Sequence, residues 1–310
     1  MRWYKDNYNE WKEIIETVAR EIGRSEQMVE KDTIQSLFLL GLSKSELPFV
    51  FKGGTALSKA YNLIDRFSED IDLSMNRKPT QAEKTLSKDT IISISKELGL
   101  RLTNANDIMS RYDYNKYIFE YDSMFSKIPL EVIVETSYYQ TVYPATKHNV
   151  GSFVGKFCED RNIKLPIPFD AINVTMNVQS LERTFVDKVF AVCDYVLLNK
   201  AERNSRHLYD ICKLLNRIEI NDELDTLIDL VRDDRMHSKS NPSASLEYNI
   251  PSLISDIIKN KYYESDYKNI TQKLLYEDIS YNYVIEHGLS KILECDIFEY
   301  KKDKKIHFGK

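Results

Sequence analysis

The chain has 310 residues, 42% hydrophobic and 29% charged, with nine Gly and eight Pro, a globular composition that excludes low-complexity, fibrous and collagen-like classes. Its 48 acidic residues outnumber its 43 basic ones for a net charge of −5, so the averaged field weakly repels phosphate and a nucleic-acid partner would have to meet a local basic patch. The opening Met1-Arg2-Trp3-Tyr4-Lys5-Asp6 has no apolar signal core and the best apolar run, Leu37 to Leu42, is too short to cross a bilayer, which predicts a cytoplasmic protein with no membrane partner.

Two helices are expected first. Trp11, Ile14, Ile15, Val18 and Ile22 recur at helical spacing, and Ser25 can cap a second helix running towards Leu42. Pro48-Phe49-Val50-Phe51-Lys52 reads as a strand, Gly53-Gly54 as a tight turn, and Thr55 to Tyr61 as a short helix. Ile71 and Leu73 alternate with Asp70 and Asp72, the pattern of a strand with one buried and one polar face. A polar helix is expected between Thr80 and Leu98, then strands over Tyr112–Tyr121 and Ile128–Thr136. In the second of these, Leu130, Val132 and Val134 share one face and Glu131, Ile133 and Glu135 the other. Pro144, Gly151 and Gly155 punctuate a segment read as loop, and Ile172 to Val178 returns as a strand.

Beyond Leu181 the pattern is helical. Leu181, Phe185, Val189 and Val192 form one stripe, and Leu208, Ile211, Leu214 and Leu215 the next. The polar stretch Asp233–Ser245, containing Pro242, reads as a surface loop. Cys158, Cys193, Cys212 and Cys295 make no C-x-x-C pair, which excludes a zinc knuckle and gives no disulfide framework. Lys301-Lys302-Asp303-Lys304-Lys305 is a short cationic run of the kind found in solvated tails. His148, His237, His287 and His307 show no ligand spacing, and no Ser-His-Asp or Cys-His grouping emerges.

Two weak motifs stand close together: Phe51-Lys52-Gly53-Gly54-Thr55-Ala56-Leu57, and Arg66-Phe67-Ser68-Glu69-Asp70-Ile71-Asp72-Leu73. A glycine pair or a D-x-D triplet alone occurs in many proteins. Together they supply parts for nucleotidyl transfer. On a strand, Asp70 and Asp72 point the same way and can hold magnesium, or manganese in its place, as a pair of cations about 4 Å apart. Gly53 and Gly54, lacking Cβ, let backbone N–H groups approach a triphosphate, and Thr55 can add a hydroxyl contact. Lys52 and Arg66 can neutralise its oxygens, Ser68 supports the turn before Asp70, and Lys59 reads as the exposed side of its helix. The pattern G-x-x-x-x-G-K-[ST] is absent, so this is not a P-loop.

The segment FKGGTALSKAYNLIDRFSEDIDL resembles the signature of the AbiEii family of nucleotidyltransferase-like toxins, within the DNA polymerase β-type nucleotidyltransferase superfamily. The 15 residues from Thr55 to Glu69 match the spacing of this branch. The resemblance extends to Val29-Glu30-Lys31-Asp32, to Leu181 through Ala191, and to Arg206-His207-Leu208-Tyr209-Asp210. It implies a third carboxylate on a neighbouring strand, placed at Glu135 with Glu131 as the alternative, and a Lys and an Asp from the helical half at Lys188 and Asp210. Lys188 would bind the β- or γ-phosphate; read without the resemblance, it is a surface lysine. His207 stands where relatives often carry a second acid, and its role stays open between phosphate contact, proton carrier and packed imidazole.

The resemblance further implies an α+β fold: a nucleotidyltransferase-type mixed β-sheet flanked by helices over residues 1–178, then a helical lobe over 179–310. The implied activity is metal-dependent transfer of a nucleoside monophosphate from a nucleoside triphosphate to an acceptor hydroxyl. The implied setting is a bacterial toxin–antitoxin or phage-defence pair, with RNA, specifically a tRNA 3′ end, as acceptor and a winged-helix antitoxin as partner. Two alternatives are kept: transfer to a protein or small molecule, and a GTP- or ATP-binding regulatory module without chemistry.

Overall fold

The computed structural model describes residues 7–66, 68–140, 144–163, 174–236 and 238–299. The opening hexapeptide, Phe67, Ile172, His237, His307 and the Lys301–Lys305 run lie outside the described residues. The chain divides into two compact units, Met1–Ser180 and Leu181–Lys310.

The first unit opens with helices α1 (Tyr8–Ile22) and α2 (Glu26–Ser43). Trp11, Ile14, Ile15 and Val18 bury one face of α1, packing with Val29, Val154 and Phe157. Ser25 Oγ accepts from Met28 N, which caps α2. Helix α2 is buried nearly all round, including Glu30, Asp32, Thr33, Gln35 and Ser36, so its polar side chains have to find partners inside the protein.

Seven strands form one mixed sheet: β1 (Phe49–Lys52), β2 (Asp70–Met75), β3 (Arg101–Leu102), β4 (Tyr114–Tyr121), β5 (Leu130–Ser137), β6 (Ala145–Val150) and β7 (Val174–Gln179). Their order across the sheet is β3-β4-β5-β2-β1-β7-β6. β1 pairs antiparallel with β2 and parallel with β7, β2 pairs parallel with β5, and the outer pairs are antiparallel. The core side carries Phe51, Ile71, Leu73, Tyr117, Phe119, Val132 and Val134 packed with Leu37 and Phe38 of α2. Helix α3 (Gly53–Lys59) follows β1 without an intervening residue. Helix α4 (Gln81–Glu97) begins at a capping box: Thr80 Oγ1 accepts from Glu83 N, and the Glu83 carboxylate accepts from Thr80 N.

The segment expected to be loop around Pro144–Gly155 is instead β6 followed by helix α5 (Phe153–Asp160), capped by Ser152. The reason is positional. β6 is an edge strand whose Thr146, Lys147 and Asn149 are half or fully exposed, so it lacks the apolar alternation of an interior strand.

The second unit contains α6 (Leu181–Leu197), α7 (Arg206–Leu215), α8 (Asp222–Arg235) and α9 (Ile250–Asn260), then shorter helical turns over 264–274 and 281–294, each with a π-helical segment. Phe185 and Phe190 of α6 meet Phe298 at ring-centroid distances of 5.9 and 5.7 Å. The stretch expected as a surface loop from Asp233 starts later, because α8 runs to Arg235, and part of it is buried. Ser243 donates from both N and Oγ to Asp194 of α6, whose other oxygen takes Arg235 Nη2 at 2.7 Å. No helix among the described residues is long and apolar enough to cross a membrane.

Candidate active site

Asp70 and Asp72 are half-buried on one face of β2, while Ile71 and Leu73 are fully buried on the other. Strand pairing places the remaining charges. Register sets Lys52 opposite Asp72 on one side, Glu135 opposite Asp72 on the other, and Lys116 opposite Glu135. Residues in register share a face. Four adjacent strands therefore carry the row Lys52, Asp72, Glu135, Lys116, two anions flanked by two cations. Lys116 Nζ lies 3.2 Å from Glu135 Oε1. Glu131 opposes Glu120 and lies four residues before Glu135, about 13 Å along the strand, beyond the start of β2.

The glycine turn is shaped by these same side chains. Gly53 has φ +79°, and a Cβ there would lie 2.0 Å from Asp72 Oδ2. A Cβ on Gly54 would lie 2.6 Å from Arg66 Nη2 and 2.8 Å from Ser68 Oγ. The carboxylate, the guanidinium and the hydroxyl thus pack directly on glycine backbone, which only residues without Cβ allow. Arg66 is buried. Thr55 is also buried. Its hydroxyl lies 2.9 Å from Ser68 Oγ and donates to the Asp70 carbonyl, so it ties α3 to the start of β2 and is turned away from solvent. Gln35 of α2 donates to the Glu69 carbonyl at 2.7 Å, fixing the turn from its other side.

Lys59 departs from the sequence expectation. It is buried, and its ammonium reaches the Asp32 carboxylate, the Asp32 carbonyl at 3.0 Å and Ser36 Oγ at 2.8 Å. Asp32 also accepts from Phe153 N. Burial pulls the Lys59 ammonium below its ordinary value, and the charge of Asp32 and its hydrogen bond oppose that pull. The lysine clamps the end of α3 to α2. Glu30, two residues before Asp32 on α2, accepts from Met124 N at 2.7 Å and from Ser123 Oγ.

Two residues of the charged face escaped the sequence reading. Lys116 is one. Tyr114, two positions earlier on β4 and diagonal to Glu135, is the other. Burial raises its phenol above the ordinary value, and the nearby charges of Glu135, Asp72 and Asp70 add to the effect. The period-2 spacing of Tyr114 and Lys116 places them on one face; only the β4–β5 register shows that this is the acidic face. Among the described residues no three His, Cys, Asp or Glu side chains converge as a ready-made metal cage. Asp70, Asp72 and Glu135 share a face, with Glu135 paired to Lys116.

In the helical unit, Lys188 is buried rather than a surface lysine, and its ammonium lies 2.7 Å from Asp210 Oδ2, a fully buried carboxylate. His207 Nδ1 stands 3.4 Å from Lys188 Nζ, and its ring stacks on Tyr195 with centroids 5.6 Å apart and planes 20° from parallel. Lys188 of α6 thus meets both Asp210 and His207 of α7. Cys158, Cys193 and Cys212 are buried free thiols, Cys295 is half-buried, and burial raises the Cys193 thiol furthest.

Two Helicobacter pylori crystal structures resemble the chain. JHP933 is 19% identical, with 87% of this chain and 94% of that chain covered at a TM-score of 0.47. A candidate nucleotidyltransferase is also 19% identical, with 87% and 97% covered at a TM-score of 0.49. No curated protein sequence matches. The model of the nucleotidyl transferase AbiEii toxin family, type IV toxin–antitoxin system, matches residues 36–293, which takes in the glycine turn, the Asp70–Asp72 strand, Glu135 and the Lys188–Asp210 pair. The chain belongs to the AbiEii family of nucleotidyltransferase toxins.

Proposed function

We propose that this nucleotidyltransferase transfers a nucleoside monophosphate from a nucleoside triphosphate to a tRNA 3′ hydroxyl with magnesium, or manganese, held by Asp70, Asp72 and Glu135. The observation that carries the reading is the register that sets Glu135 beside Asp72, on the face that also bears Asp70. The donors suit a hard divalent cation: all are carboxylate oxygens, and the Asp72 carboxylate lies where a Cβ on residue 53 would displace it. A cation bound there would neutralise triphosphate charge and acidify the attacking hydroxyl.

The chain's own groups have definable tasks. The Thr55 and Gln35 hydrogen bonds to the Asp70 and Glu69 carbonyls fix the turn into β2, so the strand that bears Asp70 and Asp72 is placed before substrate arrives. Lys52 and Arg66 offset the charge of the triphosphate oxygens. Glu135 orients the acceptor hydroxyl and directs its proton away as the oxygen bonds to the α-phosphorus and pyrophosphate leaves. Lys188 and Asp210 of the helical unit belong to the proposal as residues required for triphosphate use. The biological setting that fits family membership is a toxin opposed by a winged-helix antitoxin, acting in phage defence in the cytoplasm.

The test is incubation of the protein with magnesium, each labelled nucleoside triphosphate in turn and total tRNA, beside Asp70→Ala, Asp72→Ala, Lys188→Ala and Asp210→Ala. Label entering tRNA with the unmutated protein alone is the expected result. Label in the protein fraction or in a small molecule would replace the acceptor. Tight nucleotide binding without pyrophosphate release in any mixture would replace the reaction with a sensing role.

A further inference from the structure

The row Lys52, Asp72, Glu135, Lys116 is electrically balanced, two positive against two negative; Asp70 on the same face adds one negative charge and Arg66, against Gly54, one positive. Such a face attracts a free divalent cation weakly. A triphosphate carrying the same cation is different, because the complex keeps net negative charge and finds the flanking ammonium groups attractive. Lys116 is the member best placed to move. Its side chain is 40% exposed, against 23% for Glu135, so the ammonium can swing into solvent or onto a phosphate.

We propose that Lys116 is the resident counter-ion of Glu135 and makes the acidic face take up a divalent cation together with a nucleoside triphosphate in preference to the cation alone. The inference rests on the assignment of Asp72 and Glu135 as metal ligands.

Mn2+ binding followed by electron paramagnetic resonance tests this without turnover, measured alone and with each of the four α,β-methylene nucleoside triphosphates in turn. Removing one positive charge beside the site in Lys116→Met should tighten binding of free Mn2+ by about fivefold and weaken uptake of the Mn2+–nucleotide complex by a similar factor. Lys116→Arg, which keeps the charge, should follow the unmutated protein in both. A Lys116→Met variant, folded by thermal melt, whose affinity for free Mn2+ stays within twofold of the unmutated protein overturns the proposal. So does a Lys116→Arg variant that behaves like Lys116→Met. Asp72→Asn separates the two layers: if it binds Mn2+ as the unmutated protein does, with and without nucleotide, the metal assignment itself fails.

Discussion

Replacing Gly53 by alanine tests whether the glycine turn exists to admit Asp72. The added Cβ would lie 2.0 Å from Asp72 Oδ2, 2.9 Å from its Cγ and 3.1 Å from its Cβ. Restoring ordinary contact of roughly 3.4 Å moves the carboxylate by about 1.4 Å, enough for a loss in turnover of about a hundredfold in a site that depends on positioning. Separately, a φ of +79° costs a residue with a Cβ about 1–2 kcal/mol. For a unit of this size that is a fall in melting temperature of about 2–8 °C. Gly54→Ala is the matched control, since its clashes are with the ends of the Arg66 and Ser68 side chains, which can rotate. It should lose less stability and act mainly through KM for the nucleotide. Pyrophosphate release and thermal melts on both variants decide the matter. Gly53→Ala retaining half the activity, or Gly54→Ala losing more turnover than Gly53→Ala, would refute the reasoning.

Four further outcomes are expected. Lys59→Met leaves Asp32 buried without its cation and should destabilise the first unit by about 3–5 kcal/mol in urea titrations, with part recovered in the Asp32→Leu, Lys59→Met double variant; a loss below 1 kcal/mol would show that the pair is dispensable. Asp210→Leu should destabilise the helical unit similarly by removing the buried carboxylate 2.7 Å from the Lys188 ammonium, and Asp210→Leu with Lys188→Met should melt higher than either single variant. Glu135→Gln should abolish nucleotidyl transfer while Glu131→Gln keeps it, and equal losses would mean that register does not select the third carboxylate. The Arg77 hydrogen bond, with that of Thr80 N, holds the Glu83 carboxyl down at about 2 against an ordinary 4.5. A depressed folded value means the cap's contribution is present above pH 4.5 and is lost as pH falls from there towards 2, so the stability gap between the unmutated protein and Glu83→Gln should close over that window.

The parts of this fold legible in the sequence are those whose causes are local. β2 declares itself by alternation of Asp70, Ile71, Asp72 and Leu73, α2 by Ser25 at its start, and α6 by the stripe Leu181, Phe185, Val189 and Val192, each within one or two turns or strand steps. The glycine pair was legible as a place of close approach, but not what approaches: Asp72 and Arg66 come from 12 or more residues away, after the end of α3. β6 was missed because an edge strand has no second neighbour to bury it, so its sequence carries little of the pattern that betrays interior strands.

The two lysines read least well from sequence, Lys59 and Lys116, were missed in opposite directions for one reason. Lys59 sits on a helix with few acids nearby in sequence, and Lys116 in a strand among aromatic residues, so local pattern assigned the first to solvent and gave the second no role. What decides each is a carboxylate brought in by non-local pairing: Asp32 from α2, 27 residues before Lys59, and Glu135 from β5 across the antiparallel register. A lysine's task depends on how much of its partner is desolvated. Asp32 is nearly buried, so removing Lys59 is expected to cost folding stability; Glu135 is partly wet, so removing Lys116 should leave the fold intact and change which ions the face admits.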